Sequence, residues 1–559
     1  MLSRLNPPPT FPYDPLEWVR LPLPERARLV CALWAERGYG APPVVLMAYA
    51  LKVLLYIGGW AFFCSFSPTL GGLGTLPTWW LHPLAFQKAV VFSLLFEVLG
   101  LGCGSGPLTG RYVPPVGGFL YFLRPGTTKL PLWPRLPLLG GHTRSALDVA
   151  LYAALLLVTL RALLAPTLGF WHFAPLLGLL PLLGVADRTL FLAARSEHYL
   201  TMVLCFACAS DWIPGAKAVQ LALWFWAGVS KATRHFPAVI CVMTSNSPCL
   251  SFPWLRRRMY RDFPNDLRPS RLAKLMSHMG AALELAVPLA FLLTPLGQTP
   301  VVALLLMLLL HGYITSNVPM GVPIEWNFMM VYGGFALFYA HPAASLTALA
   351  PPWLVGVLLV VLVVVPLLGN LAPRWVSFLP AMRYYAGNWA YSIWFVRYGA
   401  ERKLERLRKS SALIYEQLGP FFERPTIIGM TGMVMGFRLM HLHGRALPIL
   451  VPLAVDDLTA YDWFDGELIA GLALGWNFGD GHLHQEQLLQ ALQAQCGFTE
   501  GEVRCIFVES QPLLRGTLDY RIWDAASGQL EAGSLPVAEL ETRQPWEAPP
   551  GVESPALPL

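Results

Sequence analysis

Residues 353–371 read WLVGVLLVVLVVVPLLGNL, and residues 43–66 read PVVLMAYALKVLLYIGGWAFFCSF. Both stretches are close to 20 residues long, and the only charged side chain in them is Lys52. A helix of about 20 apolar residues is long enough to cross the hydrocarbon core of a bilayer. The two stretches therefore predict transmembrane helices.

The composition of the whole chain agrees with this prediction. Of its 559 residues, 55% are hydrophobic and only 13% are charged, whereas an average soluble domain has about 25% charged residues. The mean hydropathy is +0.49. These values exclude intrinsic disorder, a disulfide-stapled secreted domain and an ordinary cytosolic enzyme, so the sequence predicts an integral membrane protein.

Apolar stretches recur along two thirds of the chain and predict about ten spans. They lie near residues 43–66, 85–103, 146–165, 170–186, 189–208, 217–241, 275–294, 300–318, 324–341 and 353–371. The predicted fold class is an all-α polytopic membrane bundle with a small C-terminal α+β soluble domain.

The basic residues predict the topology. They concentrate in the N-terminal segment and in the segments after the second, sixth and tenth spans, all of which fall on one side of a ten-span protein. The positive-inside rule places this side in the cytoplasm. We therefore expect a multi-pass protein of the inner (cytoplasmic) membrane with both termini in the cytoplasm. The basic segments beside the spans suit anionic lipid headgroups, and no nucleic-acid partner is predicted.

Changes in composition divide the chain into five predicted segments. They are an N-terminal cytoplasmic segment (1–42), a transmembrane domain (43–372), a basic juxtamembrane helix or linker (373–418), a soluble α+β domain (419–545) and a flexible tail (546–559). Within the third segment, residues 396–417 resemble a solvated helix, in which Glu405 and Lys409 are spaced as an i,i+4 pair. For the soluble domain we expect strands near 447–455, 467–475, 503–509 and 518–523, and a helix over 482–495.

Polar residues inside the predicted spans are the main candidates for function. A charge at the bilayer centre costs roughly 2.5–3.5 kcal/mol, so such a residue usually faces a cavity or a partner. If the sixth span is one helix, Trp224, Gly228, Lys231 and His235 share a face that combines an aromatic platform, a close-approach glycine, a possible amine base and an imidazole. The alternatives for Lys231 are pairing with a glutamate inside the bundle or snorkelling to the interface.

These residues give two sets of candidates. The candidate catalytic residues are Lys231, His311 and Glu284. The candidate ligand-binding residues are Trp224, Gly228, His235, Arg195, His198 and Glu325, and Glu197 lies between two of them in sequence. There is no Walker A loop, no H-E-x-x-H, no G-x-S-x-G and no kinase signature, so we predict no cofactor.

A second polar motif lies near the C-terminus, in the block Gly475–His484. It contains Asn477, Asp480, His482 and His484. These side chains could bind a metal, but their spacing matches no known zinc pattern. A turn in which Asp480 or His482 caps the following helix is the simpler account, so we predict no metal here.

The segment Trp224-Phe225-Trp226-Ala227-Gly228-Val229-Ser230-Lys231 resembles the aromatic-Phe-x-Ala-Gly-Val-x-Lys stretch of vitamin K-dependent gamma-carboxylases, which belong to the horizontally transferred transmembrane domain group. Glu284 and His311 look similar to later polar positions of that group. The resemblance implies that Lys231 acts as a base on a quinol-like substrate. The large lumenal glutamate-binding region of the carboxylases is not recognisable in this sequence.

A closer resemblance covers most of the chain. Residues 235–248, Met382–Ala390 and Gly475–His484 look like a bacterial transmembrane family of unknown function that is familiar from mycobacteria and other actinobacteria. That family is associated with growth of the cell envelope and with handling of envelope lipids.

The leading hypothesis is a membrane protein that binds an envelope lipid in a cavity between polar-lined helices, supporting envelope growth. Its expected partners are membrane lipids and envelope-lipid transport or assembly proteins. The alternatives are a membrane oxidoreductase or carboxylase-like enzyme with Lys231 as its base, and an envelope-assembly scaffold in which the buried charges are only paired.

Overall fold

The structure is a computed structural model that describes residues 6–317, 323–476 and 479–547, and most of these residues are helical. The α-helices of six residues or more are α1 (Leu23–Arg37), α2 (Pro43–Cys64), α3 (Pro83–Val98), α4 (Ala146–Leu164), α5 (Phe170–Ala186), α6 (Arg188–Ala193), α7 (Tyr199–Cys208), α8 (Ile213–Lys231), α9 (Phe236–Asn246), α10 (Pro253–Arg258), α11 (Arg271–Leu293), α12 (Val301–Thr315), α13 (Ile324–Gly333), α14 (Pro352–Leu371), α15 (Arg424–Met440), α16 (Leu447–Ala454), α17 (Gly466–Leu474), α18 (Glu486–Cys496) and α19 (Val537–Thr542).

Four of these helices, α2, α4, α11 and α14, are long and apolar enough to cross a membrane. A fifth span results if the short helix Leu73–Trp79 and α3, which meet at 112°, are counted together. The prediction of about ten spans is therefore not confirmed for the described residues. Hydropathy identifies every apolar stretch, whatever the length of the helix that it forms. Helices α5, α7, α9 and α12 have only 10–17 residues each and are shorter than a span of about 20 residues.

The long apolar helices present many apolar side chains on the outside of the protein. Only 22% of the most apolar 18-residue stretch of α2 is buried, and Leu51 and Leu54 are each 67% exposed. Soluble monomers rarely expose contiguous apolar surface of this kind. Contact with lipid hydrocarbon explains these side chains.

The predicted sixth span is broken. Helix α8 ends at Lys231 and α9 begins at Phe236, so His235 does not continue the helical face of Lys231 and that prediction is wrong. The physical reason is Pro237, whose ring would clash with the carbonyl of residue 233 inside a continuous helix. Proline is well accommodated in the first turn of a new helix, which is where it lies in α9.

The predicted fifth span is also broken. Helix α6 ends at Ala193, α7 begins at Tyr199, and Arg195 between them has a φ of 49°. Arg195, Glu197 and His198 consequently lie in a turn between two helices. A turn can direct several neighbouring side chains towards the same interior point, which a regular helix cannot.

The C-terminal third contains a five-stranded antiparallel sheet with the order β4-β3-β5-β6-β7. Its strands are β3 (Tyr391–Arg397), β4 (Tyr461–Asp465), β5 (Val503–Val508), β6 (Thr517–Asp524) and β7 (Gly528–Pro536), and a separate hairpin pairs β1 (Tyr260–Asp262) with β2 (Asp266–Pro269). Every residue of β3 from Tyr391 to Val396 is buried. A strand buried on both faces lacks the alternation of apolar and polar residues, and β3 is apolar from Ile393 to Val396.

Several local predictions for this region need correction. No helix covers 396–417, because β3 extends to Arg397 and a 3₁₀ helix follows, although Glu405 and Lys409 do form the predicted ion pair. The expected strands at 447–455 and 467–475 are helices α16 and α17. The Asp465 side chain caps α17 by accepting from the backbone N–H of Glu467. The strands near 503–509 and 518–523 are confirmed, and the helix predicted over 482–495 is observed over Glu486–Cys496 after a 3₁₀ turn at Gly481–His484.

The sheet region packs directly on the rest of the protein. It begins at Tyr391, before the predicted domain start at residue 419, and Gln487 of α18 donates to the Pro131 carbonyl over 2.8 Å. Helix α1 packs against α15. Because a bilayer cannot lie between two helices in contact, α1 and α15 must be on the same side of the membrane.

This packing predicts that reporters at the two ends of the chain identify the same compartment. If the basic segments mark the cytoplasmic side, as the positive-inside rule predicts, alkaline phosphatase fused after residue 545 should be inactive. A fusion within the uncharged connection 295–299 is the matched control and should be active. Strong activity of the fusion after residue 545 would contradict the orientation, and opposite locations of α1 and α15 would contradict the packing.

Candidate functional site

Lys231 is part of an ion pair between two helices. Its Nζ lies 2.6 Å from Oε2 of Glu284 on α11, and the two side chains are 10% and 6% exposed. Gly228 permits this approach, because a Cβ at that position would lie 2.7 Å from Cγ of Leu285. The principal cavities within the described residues are not lined by Lys231. Of the alternatives for Lys231, the geometry matches pairing inside the bundle.

His311 is held in one tautomer by two neighbours. Nε1 of Trp224 donates to Nε2 of His311 over 2.9 Å, so Nδ1 carries the proton and donates to Oδ1 of Asn327 over 2.8 Å. Both ring nitrogens are therefore satisfied in the neutral imidazole. Trp224 also stacks on Phe291 with ring centroids 5.4 Å apart. The hydrogen bonds among Trp224, His311 and Asn327 connect helices α8, α12 and α13. They leave no nitrogen of His311 free to take a proton.

Arg195 lies at the centre of a second group of buried charges. Its Nε donates to Glu197 over 2.8 Å, and its Nη1 donates to Sγ of Cys103 over 3.3 Å. The guanidinium also lies over the rings of Trp326 and Tyr384, at 5.0 and 5.6 Å from their centroids. The turn between α6 and α7 thus brings Arg195 to a loop that is 92 residues away in sequence.

Glu325 joins the same group from α13. Its Oε2 lies 3.3 Å from Nζ of Lys52 on α2, and Nζ of Lys52 also donates to the Gly102 carbonyl over 2.7 Å. Glu97 of α3 accepts from the backbone N–H of Cys103 over 3.0 Å and from its thiol over 3.2 Å. We call this group the buried charge cluster; its members are Lys52, Glu97, Cys103, Arg195, Glu197 and Glu325.

Two members of the buried charge cluster, Arg195 and Glu325, are candidate residues in the sequence, and Glu197 lies two residues after Arg195. Lys52, Glu97 and Cys103 are not among the predicted site residues. Lys52 and Glu97 both lie within predicted spans, so the high energy of an intramembrane charge was a usable signal for them. His198 lies beside the cluster in sequence and accepts from Nε1 of Trp326 over 3.1 Å.

The C-terminal block shapes a turn, as predicted. The Asp480 side chain accepts from the backbone N–H of His482, and Nε2 of His482 lies 3.0 Å from a carboxylate oxygen of Glu509. Nδ1 of His484 bonds to Oγ of Ser392 over 2.7 Å. Asn477 lies outside the described residues.

The two histidines of this block have opposite electrostatic environments. Burial alone would lower the pKa of His482, but Glu509 and Asp480 raise it to about 10. Burial alone would raise the pKa of Glu509, but His482 lowers it to about 2. Burial lowers the pKa of His484 to about 3. His482 is therefore a buried imidazolium, and His484 is a neutral hydrogen-bonding group.

A cavity lies elsewhere, between α1, the loop 108–112, residues 414–418, α15 and the start of α17. Its volume is about 120 Å³, and its mouth is open to solvent. Most of its wall is apolar and consists of side chains such as Leu108, Ile414, Leu418, Met430, Val434 and Leu468. No local sequence pattern predicts this cavity, because its walls come from five segments that are distant in sequence.

Polar groups occupy one part of the cavity wall. Nε of Arg438 donates to Asp465 over 2.8 Å, and Nη2 lies 3.6 Å from Glu467. Burial raises the pKa of Glu467 above its usual range, although Arg438 opposes this shift. Nη1 of Arg438 and Nε1 of Trp34 are buried donors without a hydrogen-bond partner among the described residues. An apolar cavity with a few convergent polar groups is typical of a ligand site.

The ion pair of Lys231 predicts a stability phenotype. Lys231→Met removes one partner of a buried pair, and this should lower the free energy of unfolding by about 3–5 kcal/mol. The double variant Lys231→Met/Glu284→Gln should recover much of that loss, because it leaves no unpaired charge. Thermal unfolding and membrane accumulation of the full-length protein measure both effects.

The control for this pair is Arg515→Met, which breaks a solvent-exposed pair with Asp519 and should change stability by only about 0–1 kcal/mol. A Lys231→Met protein that accumulates and unfolds like the wild type would show that the pair does not stabilise the fold.

The His482–Glu509 pair predicts a pH dependence. The raised pKa of His482 adds stability that is full below about 6.5, its unfolded value, and is lost as the pH rises through about 10. The lowered pKa of Glu509 adds stability that is full above about 4.3 and is lost as the pH falls through about 2. Both contributions are complete between about pH 4.3 and 6.5.

The difference in the free energy of unfolding between wild type and His482→Gln should therefore shrink by about 1.5–3 kcal/mol between pH 6.5 and 10. This is the usual contribution of a hydrogen bond to a charged group. Melting curves of both proteins measure it. The control His484→Gln should lower stability by an amount that does not vary over this range, because His484 is neutral throughout it. A constant difference for His482→Gln would refute the imidazolium assignment.

The comparison with known families assigns the chain as a whole. The family described as "Transmembrane protein of unknown function (DUF3556)" matches residues 7–556, which is nearly the full length. No curated protein and no solved structure matches the chain. The apolar helices agree with the transmembrane description, and the match extends over both the helices and the C-terminal sheet region. The chain belongs to the DUF3556 family of transmembrane proteins of unknown function.

Proposed function

We propose that this protein binds a lipophilic molecule with an oxygen-bearing head in the cavity between α1, α15 and α17. The observation that carries the proposal is a mostly apolar cavity lined by Trp34 and Arg438, each of which has a buried N–H donor without an acceptor among the described residues. A lipid-handling protein needs such an apolar compartment. The position differs from the sequence-based expectation, which placed the ligand beside Lys231.

The cavity is close to the ends of the apolar helices. Tyr39 lines it and lies four residues before Pro43, where α2 begins. The loop 108–112 lines it from the other side and follows α3, which ends at Val98. A molecule that leaves the bilayer at the ends of α2 and α3 therefore has a short path to the cavity.

The polar part of the wall indicates the chemistry of the head. A buried donor without an acceptor is unfavourable by about 1–3 kcal/mol, so a ligand oxygen that accepts from Trp34 Nε1 or Arg438 Nη1 gains that free energy. Glu467 can either donate or accept near neutral pH, because burial raises its pKa. Hydroxyl, carbonyl or phosphate oxygens on an apolar tail fit these groups.

The biological setting is the second part of the proposal. The resemblance of residues 235–248, 382–390 and 475–484 to an envelope-associated bacterial family supports a role in handling envelope lipids for envelope growth. The basic segments support the cytoplasmic membrane, with both termini in the cytoplasm. Envelope-lipid transport or assembly proteins would then be the partners.

The two rival functions have less support from the geometry. A quinol-oxygenating or carboxylase-like enzyme needs Lys231 as a free base, yet its ammonium is 2.6 Å from Glu284. A scaffold accounts for the paired charges, but it does not account for an apolar cavity with unsatisfied donors.

Lipid analysis of the purified full-length protein tests the proposal. In mild detergent, the wild type should retain one lipid class that is enriched over the bulk membrane extract. Val434→Trp places a large ring in the cavity and should remove most of that lipid. Trp34→Phe keeps an aromatic side chain, although a smaller one, and removes the N–H. It should weaken retention about two- to tenfold, equivalent to one hydrogen bond.

The matched control is Leu514→Trp, which adds the same ring at a position that is 83% exposed and far from the cavity wall in sequence. It should keep the wild-type lipid content. A retained lipid profile equal to that of the bulk membrane, or an unchanged lipid content in Val434→Trp, would overturn the proposal.

A further inference from the structure

Three side chains of the buried charge cluster offer a set of metal ligands. A carboxylate oxygen of Glu97, Sγ of Cys103 and a carboxylate oxygen of Glu325 all lie within 4.8 Å of one another, and all three residues are buried. They come from α3, from the loop that follows it and from α13. A thiolate with two carboxylates is a donor set that suits Zn²⁺ and similar divalent ions.

Glu325 is an unusual carboxylate. It is 2% exposed, yet neither of its oxygens accepts a hydrogen bond from any described residue. Its nearest cation is Nζ of Lys52 at 3.3 Å, and that nitrogen already donates to the Gly102 carbonyl. Among the described carboxylates, Glu325 is the one whose two oxygens are both buried without a hydrogen bond, and an ion bound at this point would satisfy them.

The loop between α3 and the rest of the cluster is wrapped tightly around Glu97. A Cβ at Gly102 would lie only 2.0 Å from Oε2 of Glu97. The absence of a side chain at position 102 therefore lets the backbone deliver the Cys103 thiol to the carboxylate. This close wrapping holds two of the three prospective ligands together before any ion binds.

The charges of the cluster balance in two different states. Glu97, Glu197 and Glu325 carry three negative charges when ionised, and Lys52 and Arg195 carry two positive ones. One proton on a carboxylate makes the cluster neutral. One divalent ion also makes the cluster neutral if Cys103 and that carboxylate are both deprotonated. Neutrality matters because a buried net charge is strongly unfavourable.

We propose that Glu97, Cys103 and Glu325 form a binding site for one divalent transition-metal ion of the zinc type. On binding, the ion forms bonds to Sγ and to two carboxylate oxygens, and the thiol and one carboxylic acid release two protons to solvent. Arg195 Nη1 donates to Sγ and thereby orients the thiolate. Ligand atoms on a shared zinc ion lie about 3.3–3.8 Å apart, so a small inward movement of the carboxylates completes the site.

The site would have three protein ligands and an open fourth position. Structural zinc sites are usually closed by four protein ligands, whereas three ligands and an open position are typical of sites that bind a further molecule. The aromatic rings of Trp326 and Tyr384, which pack on Arg195, form part of the apolar surroundings. The site is separate from the cavity at α15, so its existence does not depend on the proposed lipid binding.

The test uses the purified full-length protein with Zn²⁺ and Co²⁺ as probes. After removal of adventitious metal, we expect one tightly bound ion per chain and release of about two protons per ion into a weakly buffered solution. Co²⁺ should show a near-ultraviolet thiolate-to-cobalt charge-transfer band. Cys103→Ser should abolish that band, and Cys103→Ser and Glu325→Gln should each weaken binding more than about tenfold.

Two controls separate this site from other donors. Cys249→Ser replaces a cysteine that is exposed and should leave the band and the stoichiometry unchanged. The double variant His482→Ala/His484→Ala should also keep the ion. Folding of each variant is checked by its size-exclusion profile in detergent, and Glu325→Gln serves as the decisive variant if Cys103→Ser does not fold.

The inference fails if the wild type binds no stoichiometric ion, if binding releases no protons, or if the cobalt band persists in Cys103→Ser. It also fails if Glu325→Gln binds the ion as tightly as the wild type does.

Discussion

Charges inside the apolar part of this protein must be compensated within the protein, and this requirement connects its helices. An ammonium or carboxylate surrounded by hydrocarbon is so unfavourable that it persists only with a partner. The resulting contacts join elements that are distant in sequence. They are Lys231–Glu284 between α8 and α11, Lys52–Glu325 between α2 and α13, Lys129–Asp148 at the start of α4, Arg144–Asp187 before α6, and the hydrogen bonds of Lys88 to the carbonyls of Phe63 and Leu163.

The same requirement joins the sheet region to the helices. Arg111, which is buried in the loop after α3, donates to the Gly471 carbonyl at the end of α17, and Tyr121 donates to the Ala473 carbonyl. Arg438 of α15 is paired with Asp465, the residue that also caps α17. Each of these side chains satisfies a backbone or carboxylate group that would otherwise be buried without a partner. The sheet region therefore packs as a continuation of the helical core.

Glu325 and the wall of the cavity at α15 are two of the places where buried polar atoms lack a hydrogen-bond partner among the described residues, and both are where we propose binding. Glu325 has two oxygens without a donor, and Trp34 and Arg438 have donors without an acceptor. At Lys231, His311 and His484, by contrast, the polar atoms are paired within the protein. The physical contrast explains why a conspicuous intramembrane lysine is a weaker candidate for chemistry than the carboxylate on α13. The two proposed sites also differ in their unsatisfied atoms. The cavity for a lipophilic molecule has N–H donors, and the compact site for an ion has carboxylate oxygens.

The sequence by itself determined the membrane class, the long apolar helices α2, α4, α11 and α14, and the strands β5 and β6, because hydropathy and β-propensity are properties of contiguous residues. It also contained a signal for the break between α8 and α9, since Pro237 cannot donate the backbone hydrogen bond that a continuous helix would make there. Only the tertiary structure decided that 447–454 and 466–474 are helices and that Tyr391–Arg397 is a strand between β4 and β5. It also decided which charges meet in the buried charge cluster: Lys52, Glu97, Cys103, Arg195 and Glu325. Those outcomes depend on contacts between residues up to hundreds of positions apart, and no local pattern records which distant charge will compensate another.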